Sequence, residues 1–411
     1  MTIIFLTASY CQHIDFKLLR EKYDLRAVLL TDKNINLSQD FLSEFDRVER
    51  LSSSNHDVRP ILNFSEALAI CSEESIASRG NITIVCQEES NLLLAAKLRE
   101  VLDLVKGDRP NIVNRFRNKL LMKQALKPSG IKMPEYQAID KKRLSRCRVT
   151  YFNELAQNLG TPFIVKPVDS AGSFGVEIVR EVRDFYRWAQ DIQDSVFEYE
   201  ADEFIPYPMG QVDSIVVDGE VVFEGVLELN CTNFQFVKGT PLAARYVDDP
   251  NLKTKMSEMN RKVIKALGLK NGCSHHEMFI NPKTKEITFL EIACRVPGGM
   301  IIPIHRSNTG VNFMQVHVES LIDEHFRFKP GKNKGTNVYA MLPVESGTIS
   351  NLVEPDLESR YSIDWKVKVG DRVSANSVVD TAGILHFYND DIAALHRDYD
   401  RLSHYKAVVC E

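Results

Sequence analysis

Glu277 and Glu291 lie in or beside two short apolar runs, Met278-Phe279-Ile280 and Ile287-Thr288-Phe289-Leu290, that flank Asn281-Pro282-Lys283-Thr284-Lys285. Strand formers on both sides of a turn containing Pro and Asn read as a hairpin. Folded about Thr284, that hairpin sets the two carboxylates opposite each other on one face, with Cβ atoms roughly 5 Å apart. Facing carboxylates repel unless one takes up a proton or a cation lies between them. Hard oxygen donors of this kind suit Mg²⁺, which binds one or two carboxylates together with substrate phosphates. The other face, Met278, Ile280, Leu290 and Ile292, is apolar and is expected to pin the hairpin to a core. Arg295 follows in a loop that ends in Gly298-Gly299. An ordinary surface hairpin with two solvated glutamates fits the same residues.

A second stretch able to do chemistry is FIVKPVDSAGSFGV, residues 163–176. An apolar strand ends at Lys166-Pro167, and a loop of small residues, Ser170-Ala171-Gly172-Ser173, runs to Gly175 and a further strand. Small residues free backbone N–H groups to form an anion-binding concavity, and Lys166 adds a point charge. The loop joins two strands and lacks GxxxxGK[ST], so it is no Walker A loop. A glycine-containing hairpin turn is the plainer reading.

These groups need rigid elements to hold them. A chain of 411 residues suffices for about two to three domains and a large core. With 44% hydrophobic and 26% charged residues and a formal net charge of −5, it gives no support to nonspecific nucleic-acid or membrane-surface binding. No apolar run approaches the ~20 residues of a membrane span, and the start, MTIIFLTASYCQHIDFK, does not read as a signal peptide. The cytoplasm is the expected compartment. The eight cysteines, at 11, 71, 86, 147, 231, 273, 294 and 410, form no CxxC or close Cys/His pair. That argues against a zinc site or disulfide framework and fits a reducing compartment.

Residues 1–110 alternate strands (3–6, 25–30, 81–86) with helices (16–22, 89–105), the rhythm of a Rossmann-like parallel sheet. The first turn, Thr7-Ala8-Ser9-Tyr10, lacks the glycines that let a pyrophosphate approach, which argues against a dinucleotide site. A helix over 118–126 and a polar, basic linker over 135–150 follow. Next come a helix ending at Gly160, the Lys166 loop and a helix over 184–192. Strands around 213–217 and 221–227 meet at Asp218-Gly219, and a helix over 252–267, with Gly268 as its C-cap, leads to the glutamate hairpin. Pro330-Gly331-Lys332 reads as a boundary before a small β-rich tail whose last helix covers 392–402.

Together, Lys-Pro before a Ser/Gly loop and, about a hundred residues later, an acidic hairpin ending in Glu-x-x-x-Arg resemble the ATP-grasp superfamily. Asp202-Glu203-Phe204-Ile205 is similar to the family's adenine-holding hinge. Asn118-Lys119, followed by Leu126, Gly130-Ile131 and Pro134, is similar to its leading nucleotide-binding lysine segment. The resemblance spans about residues 110–325. Ser274-His275-His276-Glu277 and Leu290-Glu291-Ile292-Ala293-Cys294-Arg295 most resemble the carboxylate–amine ligase branch, which includes bacterial L-amino-acid ligases. Many members have Glu-x-Asn-x-Arg, the Asn being a further metal ligand. Here Ala293 stands in that place, leaving it to water or a phosphate oxygen.

The resemblance implies a mixed α/β and α+β fold in three parts. These are a Rossmann-like domain over 1–110, an ATP-grasp region over 111–325 with a lid at about 150–205, and a β-rich domain over 326–411. It implies ATP and Mg²⁺, with Mn²⁺ as a substitute. Lys119 and Lys166 would neutralise the phosphates, and the loop with Ser170, Gly172, Ser173 and Gly175 would close over them. Glu203, Phe204 and Ile205 would hold adenine, while Glu277 and Glu291 would hold the metal. A substrate carboxylate would attack the γ-phosphorus, and an amine would then attack the acyl phosphate. Arg295 would stabilise the tetrahedral oxyanion, so Arg295 and Lys166 are the catalytic candidates.

Other positions stay open. Asp213, in Gln211-Val212-Asp213 where the branch often has His-Val-Asp, is a ribose or substrate contact or else a structural hydrogen bond. His275, Gly298 and Gly299 are candidate substrate contacts; a packed histidine and a simple turn fit equally. Cys294 reads as a small buried filler. The implied partners are a small-molecule carboxylate and amine, with a carrier-protein thiol as alternative acceptor. A non-catalytic ATP-binding regulator is the rival from another class. No nucleic acid or membrane is implied, and a homodimer by resemblance only. Loops 229–240 and 297–308 are expected to set specificity.

Overall fold

The computed structural model describes residues 1–55, 59–323, 325–375 and 380–411. Its first sheet is parallel, in the order Arg47–Leu51, Arg26–Asp32, Thr2–Leu6, Ile82–Cys86. The strands Thr2–Leu6 and Ile82–Cys86 are buried along their whole length, as a sheet covered on both faces requires. Helix Phe16–Tyr23 starts where the Asp15 side chain accepts from the Leu18 N–H at 2.9 Å. The long helix expected over 89–105 is shorter. Glu89–Asn91 forms a 3₁₀ turn, and the α-helix covers only Leu92–Val101, ending before Asp103 turns left-handed at φ 50°. Glu88 and Glu89 therefore sit at the carboxyl end of the sheet, where open α/β sheets place their ligands.

The second sheet is antiparallel, in the order Tyr136–Ala138, Tyr199–Glu203, Phe163–Pro167, Glu177–Val179. Helices Arg148–Leu159 and Val182–Asp191 cover it with Tyr151, Leu155, Phe185 and Trp188. Residues 135–150 are not a linker. They supply the strand Tyr136–Ala138 and a helix, Lys141–Arg146, capped by Asp140. That helix buries only Leu144, so its composition reads as solvated chain although it closes the sheet's core.

The third sheet has eight strands, every neighbouring pair antiparallel. The hairpin of Met209–Val217 and Glu220–Leu229 turns at Asp218 and Gly219, both left-handed, as a tight two-residue hairpin demands. Helix Pro250–Leu267 packs on this sheet and ends at Gly268, φ 87°. The tail extends the sheet as well as packing beside it. Asn337–Pro343 pairs with Leu242–Tyr246 (Leu242 with Met341), and Thr381–Tyr388 and Arg360–Trp365 follow outward. A small sheet of Gly347–Leu352, Arg372–Val373 and Val408–Cys410 completes the tail. Among the described residues no helix is long and apolar enough to cross a membrane.

Candidate active site

The glutamate hairpin consists of Gly272–Ile280 and Ile287–Ala293, and Glu277 pairs directly with Glu291. A bulge follows, since Met278 pairs with Phe289 and Leu290 becomes the extra residue. The bulge alters the expected apolar face. Met278, Ile280 and Ile292 are buried with Phe289 beside them, whereas Leu290 turns to the other side and lines a cavity with Phe279.

Two cavities meet at this carboxylate pair. One, of about 610 Å³, lies between the second sheet and the eight-stranded sheet. Lys119, Lys166, Ser170, Gly172, Ser173, Glu203, Phe204 and Ile205 all line it, so this wall gathers most of the residues named from the sequence. Gly172 and Ser173 are left-handed, at φ 63° and 59°, which is how the small-residue loop makes its tight turn. Gly175 does not line the cavity. It sits behind the loop, where a Cβ would meet Pro167 Cγ at 3.0 Å. Its absent side chain permits the close packing of the loop on its own stem.

The other cavity, of about 540 Å³, lies between the carboxyl end of the N-terminal sheet and the central sheet. His275, Arg295, Gly298 and Gly299 line it, joined by Ser9, Tyr10, Arg59, Glu88 and Glu89 from the N-terminal part. Leu229, Leu242, Met300, Met341 and Ile384 form an apolar wall. Lys119, Gly172, Asn233, Glu277 and Glu291 belong to both cavities. Two compartments therefore share one polar gate.

Lys119 Nζ donates to the Ser170 carbonyl at 2.8 Å and lies 3.6 Å from Glu291 Oε2. Lys166 Nζ is 2.8 Å from Asp202 Oδ2 and 3.6 Å from Glu200 Oε1. Burial pulls the Lys166 ammonium down, but Asp202, Glu200 and Glu291 more than offset it and hold it above the usual lysine range. Lys166 therefore stays charged. Arg295 Nε donates to Glu89 Oε2 at 2.6 Å, and Arg117 Nη1 lies 2.7 Å from Glu89 Oε1. Burial would raise the Glu89 carboxyl; Arg295 and Arg117 reverse that and hold it at about 2.

Asp213 does not reach either cavity. Its carboxylate is fully buried and taken by His275 Nδ1 at 2.7 Å, His305 Nε2 at 2.9 Å and the Gln211 amide at 2.7 Å. The direct nucleotide contact considered from sequence is thereby replaced by an internal hydrogen-bond network. His305 Nδ1 continues the network to the Tyr246 hydroxyl at 2.6 Å. At the cavity end, His275 Nε2 lies 3.3 Å from Glu277 Oε1, which the Asn233 amide also reaches at 3.3 Å. Burial lowers the His275 imidazole, but Asp213 and its hydrogen bond prevail and raise it to about 9. Gly225, paired with Asp213, makes room for this: a Cβ there would fall 2.0 Å from His305 Cε1.

The donor set at the gate fits a hard divalent cation. Two carboxylates face each other, and among the described residues no group of three or more His, Cys, Asp or Glu is placed to bind a metal. The remaining positions would fall to phosphate or water oxygen, the usual state of Mg²⁺ in phosphoryl-transfer sites. Ala293, opposite His275, adds no donor.

Sequence reasoning missed Glu89, Arg117, Asn233, His305 and the buried Lys123. Gly225 inside a strand was the one local signal, since such glycines mark a close approach. The others are brought in by tertiary packing.

Comparison with known proteins agrees with this geometry. Residues 125–204 match the family model described as D-ala D-ala ligase C-terminus. The L-amino acid ligase from Bacillus licheniformis superposes with a TM-score of 0.73 over 100% of this chain and 98% of that one, at 14% identity. The chain has the ATP-grasp fold. Another ATP-grasp structure, the N5-carboxyaminoimidazole synthetase from Staphylococcus aureus complexed with ADP, aligns at a TM-score of 0.67. It covers 98% of this chain and 96% of that one, at 14% identity. In sequence, the alanine–anticapsin ligase of Bacillus subtilis is 24% identical over 275 residues, 61% of this chain and 56% of that protein. That of Bacillus amyloliquefaciens is 25% identical over 241 residues, 53% and 49% of the two chains. The chain thus spans about half the length of the curated relatives it matches. Within that fold, Glu277 and Glu291 are paired across the hairpin.

Proposed function

We propose that this protein is an ATP-dependent carboxylate–amine ligase that forms a peptide or amide bond through an acyl phosphate, with an amino acid or small metabolite as substrate. The observation that carries this reading is the junction of two cavities at Glu277 and Glu291. One cavity has the hinge and lysines for a nucleotide, and the other has an arginine and room for two small substrates.

In this reading ATP lies along Glu203–Phe204–Ile205, with its phosphates against Lys119, Lys166 and the Ser170–Ala171–Gly172–Ser173 loop. Glu277 and Glu291 would hold a Mg²⁺, which would supply charge neutralisation for phosphoryl transfer. The substrate carboxylate oxygen attacks the γ-phosphorus, the bond to the bridging oxygen breaks, and ADP leaves. The amine then attacks the acyl carbon. Arg295, oriented by Glu89, stabilises the oxyanion, phosphate leaves, and the amine loses its proton. His275 and Asn233 orient Glu277. No protein nucleophile is needed.

The test is an ADP-release screen over pairs of amino acids with mass detection of the product. Amine-dependent ADP and phosphate release, lost in Glu291→Gln and Lys166→Met, is the expected result. Formation of AMP and pyrophosphate would overturn the mechanism.

A further inference from the structure

Helix Lys119–Leu126 carries two lysines one turn apart, Lys119 and Lys123, which share a face at i and i+4. Lys119 reaches the gate. Lys123 lines neither of the two cavities and is 1% exposed. Its ammonium is 2.9 Å from Glu200 Oε1, 2.6 Å from Asp202 Oδ1 and 2.7 Å from Asp202 Oδ2, and lies 4.9 Å from the Tyr136 ring centroid. Glu200 and Asp202 are on the lid strand Tyr199–Glu203, where Glu200 pairs with Lys166 and Asp202 with Tyr136. The four groups make a closed set of two cations and two anions under the nucleotide cavity.

Lys166 and Lys123 hold this set unequally. Lys123 takes both oxygens of Asp202 and the nearer contact to Glu200, whereas Lys166 has one close contact, to Asp202 Oδ2. Only Lys166 and Asp202 line the nucleotide cavity. Glu200 Oε2 has no hydrogen-bond partner among the described residues, so the anionic side is already short of donors. Removing a counter-cation from a buried carboxylate is strongly unfavourable, because the charge left behind is uncompensated.

We propose that Lys123 is a positioning residue for nucleotide binding: a fixed internal counter-cation that keeps Asp202 and Glu200 paired, so that Lys166 is free to turn its ammonium to an ATP phosphate. This rests on the reading of Lys166 as a phosphate ligand. Without Lys123, Lys166 becomes the sole cation for two buried carboxylates and is held away from ATP. The defect is one of charge balance, so deleting one negative charge should repair it.

The test is equilibrium ATP binding by calorimetry on full-length Lys123→Met, Glu200→Gln, the double variant Lys123→Met/Glu200→Gln and Lys166→Met, with thermal melting and near-UV circular dichroism on each. Lys123→Met is expected to weaken ATP binding at least tenfold, and the double variant to recover to within about threefold of the parent. Glu200→Gln alone, which stays testable if Lys123→Met does not fold, is expected to bind ATP at least as tightly as the parent. A folded Lys123→Met with parental affinity, a double variant no better than the single, or a tenfold loss in Glu200→Gln would overturn the proposal. Parental affinity in Lys166→Met would instead remove the underlying reading of Lys166, and the proposal with it. That outcome is distinct from a weakened Lys166→Met beside an unaffected Lys123→Met.

Discussion

Glu277 and Glu291 stand in register across two strands, and each already has a cation against it: His275 Nε2 at 3.3 Å from one, Lys119 Nζ at 3.6 Å from the other. Glu277 is thus held ready as an anion. Burial tends to raise the Glu277 carboxyl, yet His275 and Asn233 hold it below the usual carboxylate range.

Neutralising one member should separate activity from stability. Glu291→Gln is expected to lower amine-dependent ADP release by roughly 100-fold or more, the scale for loss of a group that stabilises transition-state charge. Its melting temperature should stay equal or rise, because like-charge repulsion is relieved. Steady-state kinetics and thermal melting measured together check this; a large fall in melting temperature would contradict it.

Glu89 joins two arginines, so its loss should be structural and catalytic at once. Glu89→Ala takes one carboxylate from buried Arg117, which keeps Asp169, and the Glu89 contact from Arg295, at an expected cost of about 3–5 kcal/mol. Arg295→Lys keeps the charge but not the planar fork that reaches Glu89, and should lower kcat while leaving the KM for ATP near that of the parent. Urea denaturation checks the first expectation and separate kcat and KM values the second.

Gly225→Ala should act at a distance. The new methyl would overlap His305, which must move off Asp213. Overpacking of this kind costs about 1–3 kcal/mol. Turnover should fall further than stability alone explains, because Asp213 then no longer fixes His275. Comparison with Val226→Ala, on the same strand but facing another core cluster, separates the two effects.

Acid stability should carry the signature of His317. Burial, and then Arg99, lower its imidazole from 6.5 to about 3. A base held neutral in the folded state binds fewer protons there than in the unfolded chain. Stability is therefore lost as pH falls below 6.5, and the loss saturates near pH 3. Between pH 6.5 and 5 this amounts to about 2 kcal/mol. His317→Asn is expected to flatten that part of the stability–pH curve, whatever its effect at neutral pH. An unchanged slope would contradict the assignment.

The parts that could be read from sequence were those with local causes. The hairpin itself follows from the turn over 281–285, although Glu291 comes opposite Glu277 only because Leu290 is an extra residue. The loop after Lys166 follows from its small residues, and the parallel sheet from three short apolar strands; the edge strand Arg47–Leu51, mostly half-buried, has no such run. The parts that could not be read had nonlocal causes. The bulge that turns Leu290 into the cavity is a two-strand property with no marker in either strand. Residues 135–150 looked like solvated chain because a helix burying only Leu144 has no visible period. Glu89 looked like part of a helix, yet it is on a turn that faces Arg295 across 206 positions of sequence. In sequence Asp213 admits two roles, and only packing shows His305 hydrogen-bonded to it.

The continuous central sheet also limits how this protein can be divided or redesigned. Met341 and Ile384 reach the cavity of His275 and Arg295 from strands that pair, directly or through one neighbour, with Leu242–Tyr246. A chain stopped near Pro330 would bare the edge of Leu242–Tyr246 and invite pairing with another molecule. It would also remove one wall of the cavity. Reshaping that wall is thus a matter of exchanging whole strands together with their edge partners, because the cavity lining and the closure of the sheet use the same hydrogen-bonded seam.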